Sequence, residues 1–429
     1  MDIFGFCAAG VFLAGYTLIT LEQRLGTHKS AIALCMGTVL WIIAAVQLHS
    51  KNSEQLEAAV HNTGAELFGI VAFLLGAMAL IEILVHYRLF DLIRSKLIKL
   101  KVGDKQQFIL IMVLTFSFSA ILDNIAITIV MLQIARRFFE GKNLLVAGAG
   151  IVIAANAGGA WSPIGDVTTV LLWLADKFTA TEVIRYAFLP AFAIFLTALG
   201  LLYRQLDNAS FMKREEGDVV KLSLSERLII STALLSFLLP LGMNTIGLPP
   251  YFGLLFGLGL TWLMIEGAKT KSRHDHQTHM TANIEKLMQA IDISSIKFII
   301  GILLSVSALG TIGVLAFLSD IAVGQSPSDL HLIYVNIAIG LMSSILDNSS
   351  LVAMAITVLP MTDPELWALT ALAAGTGGSI FIIASAAGVV AMGSLKQLDF
   401  GTYFRIGTLP ALAGFAVGMG VWAAQYYLL

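Results

Sequence analysis

The feature that most constrains the fold is a four-residue phrase, Ile-Leu-Asp-Asn, that occurs twice within apolar sequence. It stands at 121–124 in SFSAILDNIAIT and at 345–348 in LMSSILDNSSLV, 224 positions further along the chain. Each copy interrupts an otherwise apolar stretch of about thirty residues. Burying a carboxylate in hydrocarbon costs on the order of 3 kcal/mol, so such a residue is a candidate for function. Its repetition indicates a duplicated protein with two matching ion sites.

The composition places those stretches in a membrane. Hydrophobic residues make up 57% of the 429-residue chain and charged residues 13%, and the mean hydropathy is +0.85. A helix that spans a bilayer needs about 20 apolar residues, and many such runs are present. Because a spanning segment must satisfy its own backbone hydrogen bonds, the sequence predicts an all-α polytopic membrane protein.

The order of the apolar runs predicts two repeats, residues 1–215 and 216–429. Each contains three helices, a re-entrant hairpin, a broken transmembrane helix and a final helix. In the first repeat the segments fall at 4–21, 31–48, 66–87, 107–139 (hairpin), 143–176 (broken helix) and 187–205. In the second they fall at 228–245, 248–265, 296–320, 332–360 (hairpin), 366–393 (broken helix) and 407–428. Amphipathic pieces, Thr179–Tyr186 and Leu395–Arg405, are predicted to lie along the interface after each broken helix.

The number of crossings predicts how the two repeats are related. A repeat crosses the membrane five times if its hairpin re-enters and seven times if it spans, so the repeats have inverted topology in either case. With re-entrant hairpins, 23 of the 26 basic residues fall on one side, and the other side holds Lys51, Lys177 and Arg185. Basic loops mark the cytoplasmic side. We therefore expect both termini on the opposite face, with the first hairpin entering from the cytoplasm and the second from outside.

The hairpin tips carry the first candidate ligands. Asp123 and Asp347 each supply a carboxylate, and Asn124 and Asn348 each supply an amide oxygen. Unwound backbone at membrane depth is tolerated where it lines a cavity, which also makes helix-end dipoles available to an ion. The alternative is that each Asp-Asn pair only caps the start of a helix.

The broken helices carry the second group of candidates. Glycines and a proline in AANAGGAWSPIGDVTT interrupt the helix and free carbonyl groups, and the oxygen-bearing side chains around the break are Asn156, Ser162, Asp166, Thr168 and Thr169. Hard cations prefer such oxygen ligands. A Gly-Gly pair can also serve close helix packing, which explains the glycines but not Asp166.

The corresponding break in the second repeat is less charged. The stretch AGTGGSIFIIAS offers Thr376, Ser379 and Ser385, has no proline, and places Ser385 where the first repeat has Asp166. We therefore expect the stronger cation site in the first repeat, with Na⁺ at Asp123, Asn124, Asn156 and Asp166.

Two further groups of titratable residues leave alternatives open. Glu82 and His86 lie one turn apart on the third span, where they could relay protons or simply interact near the helix end. His274, His276 and His279 lie in the polar loop 266–295, and could sense pH or bind a metal, or belong to a solvated loop.

At these motifs the chain resembles the NhaD-type sodium/proton antiporters, within the ion transporter superfamily that includes arsenite pumps and dicarboxylate carriers. The matching phrases are ILDNIAIT, GGAWSPIGDVTT, SSILDNSS and GTGGSIFIIASAAG. The resemblance implies opposed hairpins, a homodimer, and exchange of sodium and lithium for protons in the bacterial inner membrane. It implies lipid and small cations as partners, with no nucleic acid and no cofactor beyond the transported ions.

The expected mechanism is competition between the cation and protons for the same carboxylates. A carboxyl group removed from water holds its proton more tightly, so it can bring a proton from one side and exchange it for sodium at the other. A site that holds sodium or protons is nearly neutral and can then switch from one side of the membrane to the other, whereas the empty, charged site cannot. The alternatives are a sodium-coupled carboxylate symporter or a metalloid exporter on the same scaffold. Enzyme signatures such as HExxH and GxSxG are absent from the sequence, so an enzyme is not expected.

Overall fold

The protein is described by a computed structural model that covers residues 1–20, 26–49, 53–100, 102–207, 222–271, 287–322, 324 and 327–428. All regular structure in these residues is helical. In chain order the helices are α1 (Ile3–Thr20), α2 (Lys29–His49), α3 (Ser53–His86), α4 (Leu89–Lys99), α5 (Asp104–Ser119), α6 (Asn124–Phe138), α7 (Gly141–Gly159), α8 (Val167–Leu174), α9 (Ala180–Tyr203), α10 (Leu224–Ser236), α11 (Leu239–Thr245), α12 (Tyr251–Lys271), α13 (Ile293–Ile312), α14 (Val314–Ala322), α15 (Asp329–Met342), α16 (Asn348–Val358), α17 (Pro364–Gly377), α18 (Ala386–Ser394), α19 (Phe400–Ile406) and α20 (Thr408–Leu428).

Both hairpins and both broken helices form where the sequence predicts them. The first hairpin is α5 and α6, and the second is α15 and α16. The first broken helix is α7 and α8, and the second is α17 and α18. Each break begins where small residues end a helix, after Gly159 and after Gly377. The second part of each broken helix begins after an N-cap residue, Asp166 or Ser385, and of these two side chains Ser385 makes a capping hydrogen bond, which it accepts from the Gly388 N–H.

The two repeats pack on each other reciprocally. The third helix of the first repeat, α3, packs on α10 and α12, while its counterpart α13 packs on α1 and α2. The second part of each broken helix packs on the other repeat's hairpin, α8 on α16 and α18 on α6. The final helices, α9 and α20, pack on each other. This exchange of partners is the arrangement of a duplicated chain folded about a pseudo-two-fold axis.

Contacts at the two ends of the helices show that the repeats are inverted. At one end, Arg136 at the open end of the first hairpin donates to the Ser394 carbonyl where α18 ends. At the other end, Tyr426 near the end of α20 donates to Asp329 where the second hairpin begins (3.2 Å). Gln425 donates to the Arg185 carbonyl in the first turns of α9 at that same end (2.9 Å). The two hairpins therefore open at opposite ends of the molecule.

Within the described residues, seven helical segments are long and apolar enough to cross a membrane. They are α2, α3, α9, α10 with α11, α12, α13 and α20. Together with α1 and the two broken helices, they account for the ten crossings that the re-entrant interpretation requires. The chain is thus a multi-pass membrane protein with inverted repeats, as the sequence predicts.

Several boundaries differ from the prediction. Helix α3 starts at Ser53 rather than near residue 66, and α4 forms in a basic segment that was not predicted as a helix. The span predicted at 296–320 is divided at Gly313, whose φ of +90° ends α13.

The predicted interfacial piece Thr179–Tyr186 is wrong as a separate element. A capping box between Thr179 and Glu182 starts α9 there, and the helix continues through Pro190 to Tyr203. Its counterpart after the second broken helix does form a short separate helix, α19.

Some predicted features cannot be placed. The repeat boundary at residues 215 and 216 and the three loop histidines His274, His276 and His279 lie outside the described residues.

Candidate cation site

Both hairpin tips and both broken helices meet at one small cavity of about 60 Å³. A cavity needs about 10–15 Å³ of such volume to hold one water molecule, so this cavity has room for a small cation and a few waters. Its polar lining comes from both repeats and consists of Lys29, Asp123, Asn124, Asn156, Asp166, Ser295, Asp347, Asn348 and Ser349. Six of the predicted site residues therefore lie around a single space, although their sequence positions span more than half of the chain.

A chain of hydrogen bonds holds the amide side chains in place. The Ser119 hydroxyl oxygen lies 2.6 Å from Asn124 Oδ1, and Asn124 Nδ2 lies 3.4 Å from Asn156 Oδ1. Asn156 Nδ2 in turn donates to Ser379 Oγ (2.8 Å). The buried Tyr403 hydroxyl donates to the Ser379 carbonyl (2.6 Å). The chain joins the first hairpin to both broken helices, so the position of each part of the site depends on the others.

Asp166 is the buried carboxylate with spare coordinating capacity. It is 6% exposed, and its Oδ2 has no hydrogen-bond partner of ordinary geometry among the described residues. The same holds for the hydroxyl of Thr168, which is fully buried. Both atoms face Gly375 on the second broken helix: a Cβ there would lie 3.2 Å from Asp166 Oδ2 and 3.4 Å from Thr168 Oγ1. Buried polar atoms are normally satisfied, so either a small movement that lets the Thr168 hydroxyl donate to Asp166 or a bound cation would satisfy this carboxylate.

The two hairpin aspartates cap helices and line the cavity at the same time. Asp123 Oδ2 accepts from the Ile125 N–H (3.0 Å) at the start of α6. Asp347 Oδ2 accepts from the N–H and the hydroxyl of Ser350 (3.1 and 3.0 Å) at the start of α16. Each carboxylate keeps its second oxygen for another partner. The capping and the ion-binding interpretations are therefore compatible, and the N-terminal ends of two helices stabilise the negative charges.

The two repeats share their backbone framework and differ in charge. Ser119 donates to the Ala155 carbonyl at 2.6 Å, and the equivalent Ser343 donates to the Ala374 carbonyl at 2.6 Å. Asn156, however, corresponds to Gly375 in the second repeat, just as Asp166 corresponds to Ser385. The first repeat thus contributes an extra carboxylate and an extra amide to the shared cavity.

Other predicted ligands are buried nearby but bond to backbone groups. The Thr169 hydroxyl donates to the Asp166 carbonyl (2.8 Å), and the Thr376 hydroxyl donates to the Leu372 carbonyl (2.6 Å). Ser162 accepts from the Ile164 N–H (3.4 Å), and Ser385 accepts from the Gly388 N–H (3.0 Å). These hydroxyls shape the breaks and are not part of the cavity lining.

The structure does not bring Glu82 and His86 into the cavity. They lie in the last turns of α3, beyond Met78, which does line it. The His86 ring instead packs edge-on against Tyr87, with 5.2 Å between ring centres. A role for Glu82 or His86 as a proton relay remains a prediction.

Several contributors to the site were missed at the level of the sequence. Ser119 and Ser343 both stand four residues before the repeated aspartate, so comparison of the two copies could have found them. Lys29 and Ser295 come from the starts of α2 and α13, far from either motif, and no local pattern marks them.

Comparison with known proteins agrees with this architecture. A family model described as a citrate transporter matches residues 16–388. Sodium/proton antiporter 1 of Arabidopsis thaliana is 34% identical over 97% of this chain and 72% of its own length. The Na⁺/H⁺ antiporter NhaD of Halomonas elongata is 28% identical over 95% of this chain and 86% of its own length.

A solved structure supports the fold alone. The crystal structure of the YdaH transporter of Alcanivorax borkumensis, described as having an unusual topology, covers 99% of both chains with a TM-score of 0.53 at 13% identity. The named relatives are transporters rather than enzymes. From the match to the family model and the extent of these alignments, the chain belongs to the family described by the citrate-transporter model and, within it, to the NhaD-type sodium/proton antiporters.

Proposed function

We propose that the chain exchanges Na⁺ for H⁺ across a membrane, with cation and protons competing for the aspartates of the shared cavity. The observation that carries this proposal is Asp166, a buried carboxylate whose Oδ2 faces the cleft between the broken helices without a hydrogen-bond partner among the described residues. Asp123 lies near enough to interact with it electrostatically. Carboxylate and amide oxygens are the ligands that a hard cation such as Na⁺ prefers.

Competition follows from the charge of the cavity. Asp123 and Asp166 line the same cavity, and like charges held close together in a buried site repel each other. A sodium ion or protons can relieve this repulsion, and binding of one removes the need for the other. The loaded cavity is then close to neutral and can change its exposure to the two sides.

The experiment measures sodium-dependent proton movement in everted membrane vesicles with a fluorescent pH probe. Asp123→Asn, Asp166→Asn and Asp347→Asn keep side-chain size and remove one charge each, so we expect each to abolish exchange. Asp207→Asn is the matched control, since Asp207 is 58% exposed and pairs with Lys142 (2.8 Å) away from the cavity. Wild-type exchange in the double variant Asp123→Asn plus Asp347→Asn would overturn the proposal.

The proposal extends to Li⁺, which has the same charge and a smaller radius. We propose the bacterial inner membrane as the protein's location because of the family resemblance, and periplasmic termini because of the one-sided distribution of basic residues. The cavity is lined by the first residues of α2 and α13, which start on the predicted cytoplasmic side, so we infer an inward-open state. Reporter fusions at each terminus test the orientation.

We also propose a homodimer in lipid, with no nucleic-acid partner and no cofactor beyond the transported ions. The dimer is supported by the family resemblance. The mass of the purified protein in detergent, measured by light scattering, tests it: a monomer at micromolar concentration would contradict it.

A second candidate is sodium-coupled uptake of a carboxylate such as citrate, which the description of the matching family model favours. Against it stands the cavity itself, where three carboxylates outnumber the one ammonium group among the lining residues. Negative side chains repel an anionic substrate. Sodium-dependent uptake of labelled citrate or succinate into vesicles would favour this alternative, and arsenite resistance in a sensitive host would favour the metalloid exporter.

A further inference from the structure

Lys29 brings a positive charge into the cavity. It is the first residue of α2, and among the residues that line the cavity it is the one basic side chain. Its Nζ lies 4.0 Å from Asp347 Oδ1 and 4.5 Å from the centre of the Phe298 ring. The side chains of Lys29 and Asp347 are 38% and 22% exposed. The ammonium group therefore sits at the open edge of the cavity, over an aromatic face.

The geometry of this pair allows the ammonium to leave. Asp347 Oδ2 is already bonded to Ser350, so Oδ1 is the oxygen that faces Lys29. The separation of 4.0 Å is longer than the roughly 2.7–2.9 Å of a tight charge-assisted hydrogen bond. A lysine ammonium also sits on a flexible four-carbon stem. Lys29 therefore attracts the Asp347 carboxylate electrostatically at a distance too long for a tight hydrogen bond.

The other two aspartates of the cavity have no such partner among its lining residues. The only basic group there is next to Asp347, while Asp166 keeps an unbonded oxygen. The charge of Asp347 in the second hairpin is therefore partly neutralised by Lys29. The charge of Asp123 in the first hairpin has no basic neighbour among the lining residues, so the transported ions would neutralise it.

We propose that Lys29 is an internal competitor of Na⁺ at Asp347. In the cation-free cavity its ammonium neutralises Asp347, and a sodium ion that reaches Asp347 displaces it. The apparent affinity for Na⁺ is then set by the difference between the binding free energies of Na⁺ and of the Lys29 ammonium at Asp347. This inference rests on the proposed exchange function and assigns a specificity-determining residue to it.

The first test measures the Na⁺ concentration for half-maximal exchange in proteoliposomes. Lys29→Gln removes the competitor, so the half-maximal concentration should fall, by up to about fivefold for a partly exposed ion pair. Lys29→Arg keeps a cation and should stay within about twofold of the wild type. The matched control is Lys105→Gln, because Lys105 also lies over an aromatic ring, that of Tyr203 (5.3 Å), outside the cavity. An unchanged value in Lys29→Gln, or an equal fall in Lys105→Gln, would refute the competition.

The second test uses the unaltered protein, so it does not depend on a variant folding. Trace acetic anhydride is applied in NaCl and in choline chloride at equal ionic strength, and acetylation of each lysine is quantified by mass spectrometry. Displacement by sodium should raise acetylation of Lys29 relative to Lys105 in the same sample. Equal acetylation in the two salts would contradict the displacement.

The two proposals fail in different ways. A wild-type protein that moves no protons in response to Na⁺ contradicts the exchange function itself. Wild-type exchange together with an unchanged half-maximal concentration in Lys29→Gln contradicts the role of Lys29 and leaves the exchange function standing.

Discussion

At the scale of single residues, the carboxylate of Asp166 has its space because Gly375 has no side chain. A Cβ at residue 375 would lie 3.2 Å from Asp166 Oδ2, 3.3 Å from the Ala160 Cβ and 3.4 Å from Thr168 Oγ1. Such contacts are tighter than ordinary van der Waals packing, so the carboxylate or the helix would have to move. The position corresponds to Asn156 in the first repeat, so the second repeat has no side chain at the place where the first repeat's carboxylate lies.

We therefore predict that Gly375→Ala weakens Na⁺ binding while the protein still folds. Displacing one charged ligand should cost on the order of 1.4 kcal/mol, which is a roughly tenfold rise in the half-maximal Na⁺ concentration. The measurement is the Na⁺ dependence of exchange in proteoliposomes. Gly420→Ala is the control, since nothing lies within 4 Å of a Cβ at that helical glycine. Equal Na⁺ dependence in Gly375→Ala and the wild type would show that Gly375 does not shape the site.

At the scale of elements, each broken helix is held to a hairpin of its own repeat by a backbone contact. Gly158 on α7 lies against the Phe116 carbonyl of α5, and Gly377 on α17 lies against the Gly340 carbonyl of α15. In both places a Cβ would overlap backbone atoms, which cannot turn aside as a side chain can. The two contacts are equivalent in the two repeats, so the close approach belongs to the fold rather than to one site.

Gly377→Ala should accordingly destabilise the protein rather than only change its ion affinity. Overpacking of a rigid core costs about 1–3 kcal/mol, and here the obstacle is backbone. We expect a fall of several degrees in the midpoint of thermal unfolding in detergent, measured by the fluorescence of the buried tryptophans. Gly200→Ala on α9, where a Cβ would meet nothing within 4 Å, is the control. A wild-type midpoint in Gly377→Ala would mean that the hairpin and the broken helix are not in close contact.

The elements that carry the site were predictable because their signals are local and repeated. Asp123 and Asp347 mark the hairpin tips, and glycine-rich stretches mark both breaks. The start of α3 was missed because Glu54, Glu57 and His61 make its first turns polar, although they continue one helix. The pairing of Lys29 with Asp347 was not predictable, since it depends on how α2 packs on α13 and the second hairpin, and no local pattern contains that information.

At the scale of the whole molecule, the exchange of partners between the repeats would let the proposed ion exchange use one cavity from both sides of the membrane. Each hairpin tip meets the broken helix of the other repeat, and the hairpins open at opposite ends. A small shift about the pseudo-two-fold axis would therefore close one approach to the aspartates and open the other. The scaffold pairs, α3 with α10 and α12 and α13 with α1 and α2, are related by the same axis.

This architecture predicts that the loops after the two hairpins face opposite sides of the membrane. Glu140 lies between α6 and α7, Thr362 lies between α16 and α17, and both are exposed. Replacing the two native cysteines, Cys7 and Cys35, by serine gives a background in which Glu140→Cys or Thr362→Cys is the sole thiol.

A membrane-impermeant maleimide should then label Thr362→Cys in intact cells and Glu140→Cys in inside-out vesicles, because basic residues crowd the Glu140 side. Each variant is labelled in both preparations, with detergent-opened membranes as the measure of total reactivity. The reverse pattern would invert the assigned orientation and keep the inverted repeats. Labelling of both thiols from one side would mean that the hairpins enter from the same face, and a cavity built that way could not be reached alternately by the two routes that exchange requires.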